Sequence, residues 1–429
     1  MADTRAALLR ARDTFWFLPA VLGLAAVALA QGLITFDRRL SNTDFGAWGA
    51  LFYRVGASGS RDILGAIGGS MLGVAATSFS ITISVLATAS STYGPRLVRN
   101  FMADRGNQFV LGMFGATFLY ALMVLRSIRS AADDHIAFVP DIAVNVAVLL
   151  AVVDVAVLVY FIHHIANSIQ VSTLSARVRR ELVDAVDMLY PAEQPDNAVA
   201  APALDAVSLS TVVAKSSGFV VSIDESALLE AARRHDCVCE LRVRSGHHLV
   251  AGEIIAVVSS SEMADDVRSA VRLGDSRTPR QDITFATQQL TEMAVRALSA
   301  STNDPYTARN ALDELAVGLV PLSRRPVPLT GRTDDEGVPR LTVTRVPVVE
   351  LLDDVFDAIR VCVADDPIAV EAVIRLARRI GLATVHDDIR ECVQEKLRAL
   401  RRAVEASSPD PSDLDRCARH VDEALESMA

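Results

Sequence analysis

The run VVDVAVLVY places Asp154 close to the midpoint of an apolar segment covering residues 142–162. A carboxylic acid in hydrocarbon is costly. It is held protonated, or paired with an arginine or hydroxyl of another helix, and is a functional candidate by default. A structural polar contact is the alternative reading. Residues 68–91, GGSMLGVAATSFSITISVLATASS, carry no charge, yet nine of the 24 are Ser or Thr. Ser70, Thr77, Ser84 and Ser91 recur every seven residues and form one stripe along a helix. Gly73, Ser80 and Ala87 form a neighbouring stripe, and Gly69 with Gly73 makes a G-x-x-x-G. Small residues let helix backbones approach closely, and hydroxyls bond across helices or back to their own carbonyls. The stripe therefore packs at the centre of a bundle, or faces water and lines a pore once several subunits assemble. His163 and His164 close the fourth apolar segment, where a histidine can report pH or simply sit at the interface. Arg96, Arg99 and Arg105 follow Pro95, which ends a helix because the residue before proline resists the helical region. At the inner headgroup level these arginines would bind anionic lipid or ring a pore mouth.

Such residues need helices long enough to hold them. Four apolar segments qualify, at residues 15–36, 63–91, 109–125 and 142–162. The second, if fully helical, reaches roughly 43 Å, so it tilts or projects beyond the lipid. The first has no cleavage-type site and is followed by further spans, so it is expected to be retained. Nine arginines flank one side of the four segments and six the other, which favours both termini inside. Between the first two spans, FGAWGALFYRV puts Phe45, Trp48, Leu51, Phe52 and Val55 near one helical face, the pattern of a short helix in the outer interface.

Charge divides the chain in the same way. Residues 1–180 hold 15 Arg, no Lys and 10 acidic residues, whereas the rest carries a net charge of −15. The acidic remainder argues against nucleic-acid binding. Its five cysteines, Cys237, Cys239, Cys362, Cys392 and Cys417, have no framework spacing and read as reduced thiols of a cytoplasmic region. The segment IQVSTLSARVRRELVDAVDMLYP keeps helical periodicity, with Val171, Leu174, Val178, Leu182 and Leu189 near one face, and is expected to continue the fourth span inward. A Pro- and Ala-rich linker follows. Residues 208–258 read as short strands and turns with a helix inserted at SIDESALLEAARRHD, and their G-x-x-L-V-x-G-E-x-I pattern looks like part of a lipoyl- or biotinyl-type sandwich. No Lys lies between Lys215 and Lys396, so a swinging-arm role is not expected. In TNDPY, Asp304 before Pro305 is a helix cap followed by proline at the first helical position. No phosphate-cradling loop, nucleophile elbow or zinc-type spacing occurs, so neither enzyme activity nor a cofactor is expected.

The segment ASSTYGPRLVRNFMADRGNQFVLGMFGATFLYALMVLRSIR carries a further signal. Its Ser90, Ser91, Tyr93, Pro95, Arg96, Arg99, Asn100 and Phe101 resemble a run found in the bacterial predicted membrane protein family labelled domain of unknown function 2254. FIHHIANSIQVSTL, SGFVVSIDESALLEAARRHD and RTPRQDITFATQQLTEMAVRALSASTNDPYTARNALDEL are similar to it as well. Tyr93-Gly94 stands where many members have Phe-Ser. The resemblance runs from about residue 10 to past 400 and implies a bacterial inner-membrane protein, but no reaction.

The expected fold is a multi-pass α-helical membrane protein with four transmembrane helices and a C-terminal α+β cytoplasmic region. Its parts are a tail at 1–14, the transmembrane domain at 15–163, a juxtamembrane helix at 164–190 and a linker at 191–207. A β-rich sandwich-like domain at 208–280 and a mainly helical domain at 281–429 complete it. The expected partners are the lipid bilayer, further copies of the chain and a small ion or other ligand. The expected function is an oligomeric ion channel or transporter with a cytoplasmic gating domain. The alternative is a membrane-anchored sensor or scaffold without transport.

Overall fold

The computed structural model describes residues 16–40, 56–93, 104–129, 138–168, 171–201, 209–407 and 410–428. They fall into two compact units, residues 1–170 and 171–429. The expected interfacial helix at 45–55 and the arginines Arg96 and Arg99 lie outside the described residues.

The first unit holds four helices: α1 (Phe17–Leu40), α2 (Ala57–Tyr93), α3 (Arg105–Ser127) and α4 (Asp141–Ser168). Each is long and apolar enough to cross a membrane. At 37 residues α2 extends about 55 Å, well beyond the roughly 30 Å of a hydrocarbon core. The helices exceed the apolar runs seen in the sequence because their ends carry residues such as Arg61, Asp62 and Arg126, which helices tolerate and hydropathy windows reject.

The expectation that the second span forms the centre of its bundle is not met within the protomer. Half of the apolar window of α3 is buried, against 11% for α2. The α3 helix presents one face, Asn107, Val110, Phe114, Thr117, Ala121 and Val124, at the i, i+3, i+4 spacing that keeps side chains on one side of a helix. Gly112 lets α1 approach: a Cβ there would stand 2.7 Å from Leu22 Cδ1 and 3.1 Å from the Pro19 backbone. Polar ties fix one end of the bundle. Asp37 Oδ2 accepts from the Ala143 N–H at 3.1 Å, where the first turn of α4 attracts an anion. The Tyr120 hydroxyl donates to the Ala143 carbonyl at 2.9 Å, and Arg61 donates to the Ile128 carbonyl at 3.1 Å.

The second unit opens with α5 (Val171–Leu189), whose buried residues Val178, Leu182, Ala185 and Val186 make it a working part of that unit's core. A six-stranded sheet runs in the order β1 (Ala198–Val199), β8 (Gly331–Thr333), β9 (Pro339–Thr342), β4 (Cys239–Leu241), β6 (Ile254–Val258), β2 (Ser210–Val213). A three-stranded sheet runs β5 (His248–Leu249), β3 (Gly218–Ile223), β7 (Val271–Gly274). The parallel pairing of β4 with β9 draws the larger sheet from both sides of residue 280. Helices α6 (Glu225–Arg234) and α7 (Ala264–Ala270) cover a core that includes Val220, Leu228, Met263 and Val267. Six longer helices follow: α8 (Ile283–Ala297), α9 (Pro305–Leu322), α10 (Val348–Val363), α11 (Pro367–Ala383), α12 (Asp387–Ser407) and α13 (Pro411–Met428).

Candidate functional site

Asp154 lies on α4 in register with Ala147 and Phe161, one heptad away on either side, all three buried. The opposite side of the helix, with Val152, Val155, Val159 and Ile162, is exposed on the protomer. The carboxyl is therefore turned into the bundle, at 1% exposure, and neither of its oxygens has a hydrogen-bond partner. Its polar neighbour is Thr117 of α3. The Thr117 hydroxyl is fully buried and likewise lacks a formed hydrogen bond, so the two groups are close enough to interact but are not aligned as donor and acceptor. This is unusual for a threonine in an apolar helix, which commonly bonds back to its own helix, as Thr82 does to the Ser78 carbonyl at 2.8 Å. Ten residues before Thr117 on the same face, Asn107 is also buried with both amide atoms unpartnered. Val110 and Phe114 form the apolar layer between them. Leaving such groups unmet costs about 1–3 kcal/mol each, so the interior of the bundle carries a polar deficit concentrated on one face of α3 and the facing side of α4.

The hydroxyl stripe is elsewhere. Ser70, Thr77 and Ser84 are exposed on the protomer surface, and Ser91 belongs to α2 by its backbone. The α2 hydroxyls that turn inward are Ser60, Ser78 and Thr82. Asp154 and the stripe thus do not share one site within a protomer. Ser70 donates to the Ile67 carbonyl at 3.0 Å and Thr88 to the Ser84 carbonyl at 3.1 Å, which meets the needs of those outward hydroxyls.

At the opposite end of the bundle from Asp37, Asp104 caps α3 by accepting from the Gly106 N–H at 2.6 Å, and its second oxygen lies 3.1 Å from His164 Nε2. Tyr160 stacks on the His164 ring at 5.4 Å between centroids. His163 instead bonds to Asn167 on the exposed side. Arg105 opens α3 and is exposed. Thr117, Asn107, Asp104, Asp37 and Tyr120 were not singled out from sequence. Only Asp104, an acidic residue just before a helical run, carried a visible cap signal.

The soluble motifs resolve into scaffold. In RTPRQD, Asp282 is nearly fully buried, caps α8 at Phe285 N and takes a two-point contact from Arg277 at 2.7 and 2.8 Å. Gly246 has φ +91°, and a Cβ there would meet Asp282 Oδ2 at 2.2 Å, so only glycine fits. In TNDPY, Asn303 takes the left-handed conformation at φ 46°. Asp304 caps α9 by accepting from Thr307 N at 3.0 Å and Oγ1 at 2.6 Å, which holds its carboxyl below the usual range. All five cysteines are free thiols, and burial pushes Cys239 up to about 12. Among the described residues no group of three or more His, Cys, Asp or Glu is placed to hold a metal ion.

Four helices of membrane-spanning length and composition, followed by a unit of strands and helices, define the class: a multi-pass predicted membrane protein. The chain belongs to the family of predicted membrane proteins called domain of unknown function 2254, whose model matches residues 12–379. It is 30% identical over 366 residues to uncharacterized proteins of Mycobacterium bovis and Mycobacterium tuberculosis, covering 82% of this chain and 70% of each relative. No solved structure matches.

Proposed function

We propose that the protein is a transporter of protons or small cations across a bacterial inner membrane, with Asp154 as the group that binds and releases the ion. The observation that carries this reading is the fully buried Asp154 carboxyl with both oxygens unpartnered, at mid-span and beside an equally unpartnered Thr117 hydroxyl. A fold keeps such a group against its cost when the group is used. Asn107, on the same face of α3 toward the inner end, would serve as a polar step on the way in. The termini and the second unit lie on the cytoplasmic side in this reading, as the arginine distribution favours.

The test is flux through purified protein in liposomes loaded with a pH- or cation-sensitive dye. Flux that falls at least tenfold on Asp154→Asn and is partly kept on Asp154→Glu is expected. Folded protein that passes no ion, or an Asp154→Asn variant as active as the parent, would overturn it.

A second reading has its own support. Gly65, Gly69 and Gly73 on α2 have open space where a side chain would stand, beside the outward Ser70, Thr77 and Ser84. Copies of the chain meeting along that face would form the homo-oligomer in which the hydroxyl stripe lines the path. Ser84→Leu separates the two readings, because it blocks an axis between protomers and leaves the interior at Asp154 untouched.

A further inference from the structure

Two separate apolar clusters fill the first unit, and Asp154 stands where they meet. On α4 it lies between Ala147 of one cluster and Val157 of the other. On α3, Thr117 lies between Ala121 of the first and Phe114 of the second. Asp154 Oδ1, Asp154 Oδ2 and Thr117 Oγ1 are all buried without a formed hydrogen bond. The neighbouring helices add no oxygen to these three. Met71, Val74 and Ala75 of α2 pack against the second cluster, and none has a side-chain oxygen. Residues 17–30 of α1 carry none either. The backbone is committed too. Helices α2, α3 and α4 run past this level unbroken and without proline, so their carbonyls accept from their own N–H groups.

That inventory separates the ions the acid could hold. A metal cation stripped of its water takes about six oxygens, and ion sites inside apolar bundles draw them from unwound backbone. Among the described residues, three are on hand here. A proton needs one. Given the reading of Asp154 as the ion-binding group, we infer that the ion is a proton, carried as the carboxylic acid, and that Thr117 is its positioning residue. A hydronium gives its proton to one Asp154 oxygen; an O–H bond forms, the carboxylate charge is cancelled and water is left. Release reverses the step. Thr117 serves both states, because a hydroxyl accepts from the acid O–H and donates to the carboxylate. The other titratable and charged groups stand well away. Asp37 meets α4 at Ala143 and Asp104 meets it at His164, each roughly 15 Å along the helix from Asp154. The Tyr120 hydroxyl is taken by the Ala143 carbonyl, and Arg61 is tied to the Ile128 carbonyl.

The test follows the carboxylic acid C=O stretch of the full-length protein in nanodiscs, by infrared difference spectroscopy from about pH 5 to about pH 10. A band present in the parent and missing from Asp154→Asn is expected. Its loss with rising pH should be the same in choline, sodium, potassium or magnesium chloride at equal ionic strength. Thr117→Val removes the hydroxyl and keeps the shape; it should move the band to higher frequency, and Thr117→Ser should restore the parent position. Absence of a titrating Asp154 band overturns the inference. A band that one of the metal cations removes at constant pH also overturns it, in favour of a metal ion, and leaves the transport reading intact. A titrating, cation-insensitive band in protein that passes no ion in liposomes overturns the transport reading instead and leaves the bound species a proton. A band that Thr117→Val leaves in place overturns the role of Thr117. The parent titration is read independently of how that variant folds.

Discussion

Asp154 sets a relation between stability and transport that can be measured in two variants. At a helix midpoint an aspartate disfavours insertion by about 2.5–3.5 kcal/mol, and leucine favours it by about 0.3–0.6 kcal/mol. Asp154→Leu therefore gains about 3–4 kcal/mol from removing the carboxyl. One effect opposes it: the larger side chain strains a closely packed position near Thr117, by about 1–3 kcal/mol. The expected net is a stabilisation of about 1–2 kcal/mol. Asp154→Asn keeps the shape, leaves a neutral polar group in place, and should fall within about 1 kcal/mol of the parent. Equilibrium unfolding in mixed micelles, followed by loss of helix signal, gives the free energies, and the liposome assay gives flux on the same preparations. A variant more stable than the parent and silent in flux is the signature of a group kept for use rather than for packing. If Asp154→Leu and Asp154→Asn both lose more than about 2 kcal/mol while remaining helical, the carboxyl is held by a partner and the reasoning from its unmet oxygens fails.

The second unit offers sharper stability tests. Asp282→Ala leaves Arg277 facing a buried hole and uncaps α8, and should cost about 3–5 kcal/mol in thermal or denaturant unfolding. Gly246→Ala meets both a positive φ and the Asp282 carboxyl, for at least about 2 kcal/mol. In the double variant the clash is gone, so the two losses should add to less than their sum. Asp304→Ala should cost about 1 kcal/mol near neutral pH. Because the folded carboxyl titrates below its ordinary value, its contribution is present above the unfolded value and is lost as pH falls through the lowered one; the gap to the parent therefore closes below about pH 4. A maleimide applied to folded protein at neutral pH should label Cys362 before Cys237 or Cys239, which are buried and held as thiols; equal labelling of all would show that the strands open readily.

How much of this was legible depends on where information resides in an apolar helix. Length and hydropathy located four long apolar helices, and an acid followed by proline announced the start of α9, because those signals are local. Orientation about the helix axis is different. The α4 helix is apolar on every side, so nothing in its sequence pattern told which neighbour Asp154 faces; the answer lies in the α3 face that includes Thr117, and that face is set by packing. On α2 the heptad hydroxyls pointed to a seam, yet the inward seam is Ser60, Leu64, Gly68, Ser78 and Thr82, one position round the helix from the outward stripe. Small residues lined both faces, and composition does not choose between them. The family-like motifs mislead in the opposite direction. RTPRQD and TNDPY look like chemistry because they gather charged and polar residues, but their geometry ends in helix caps, an internal ion pair and a glycine that only glycine can fill.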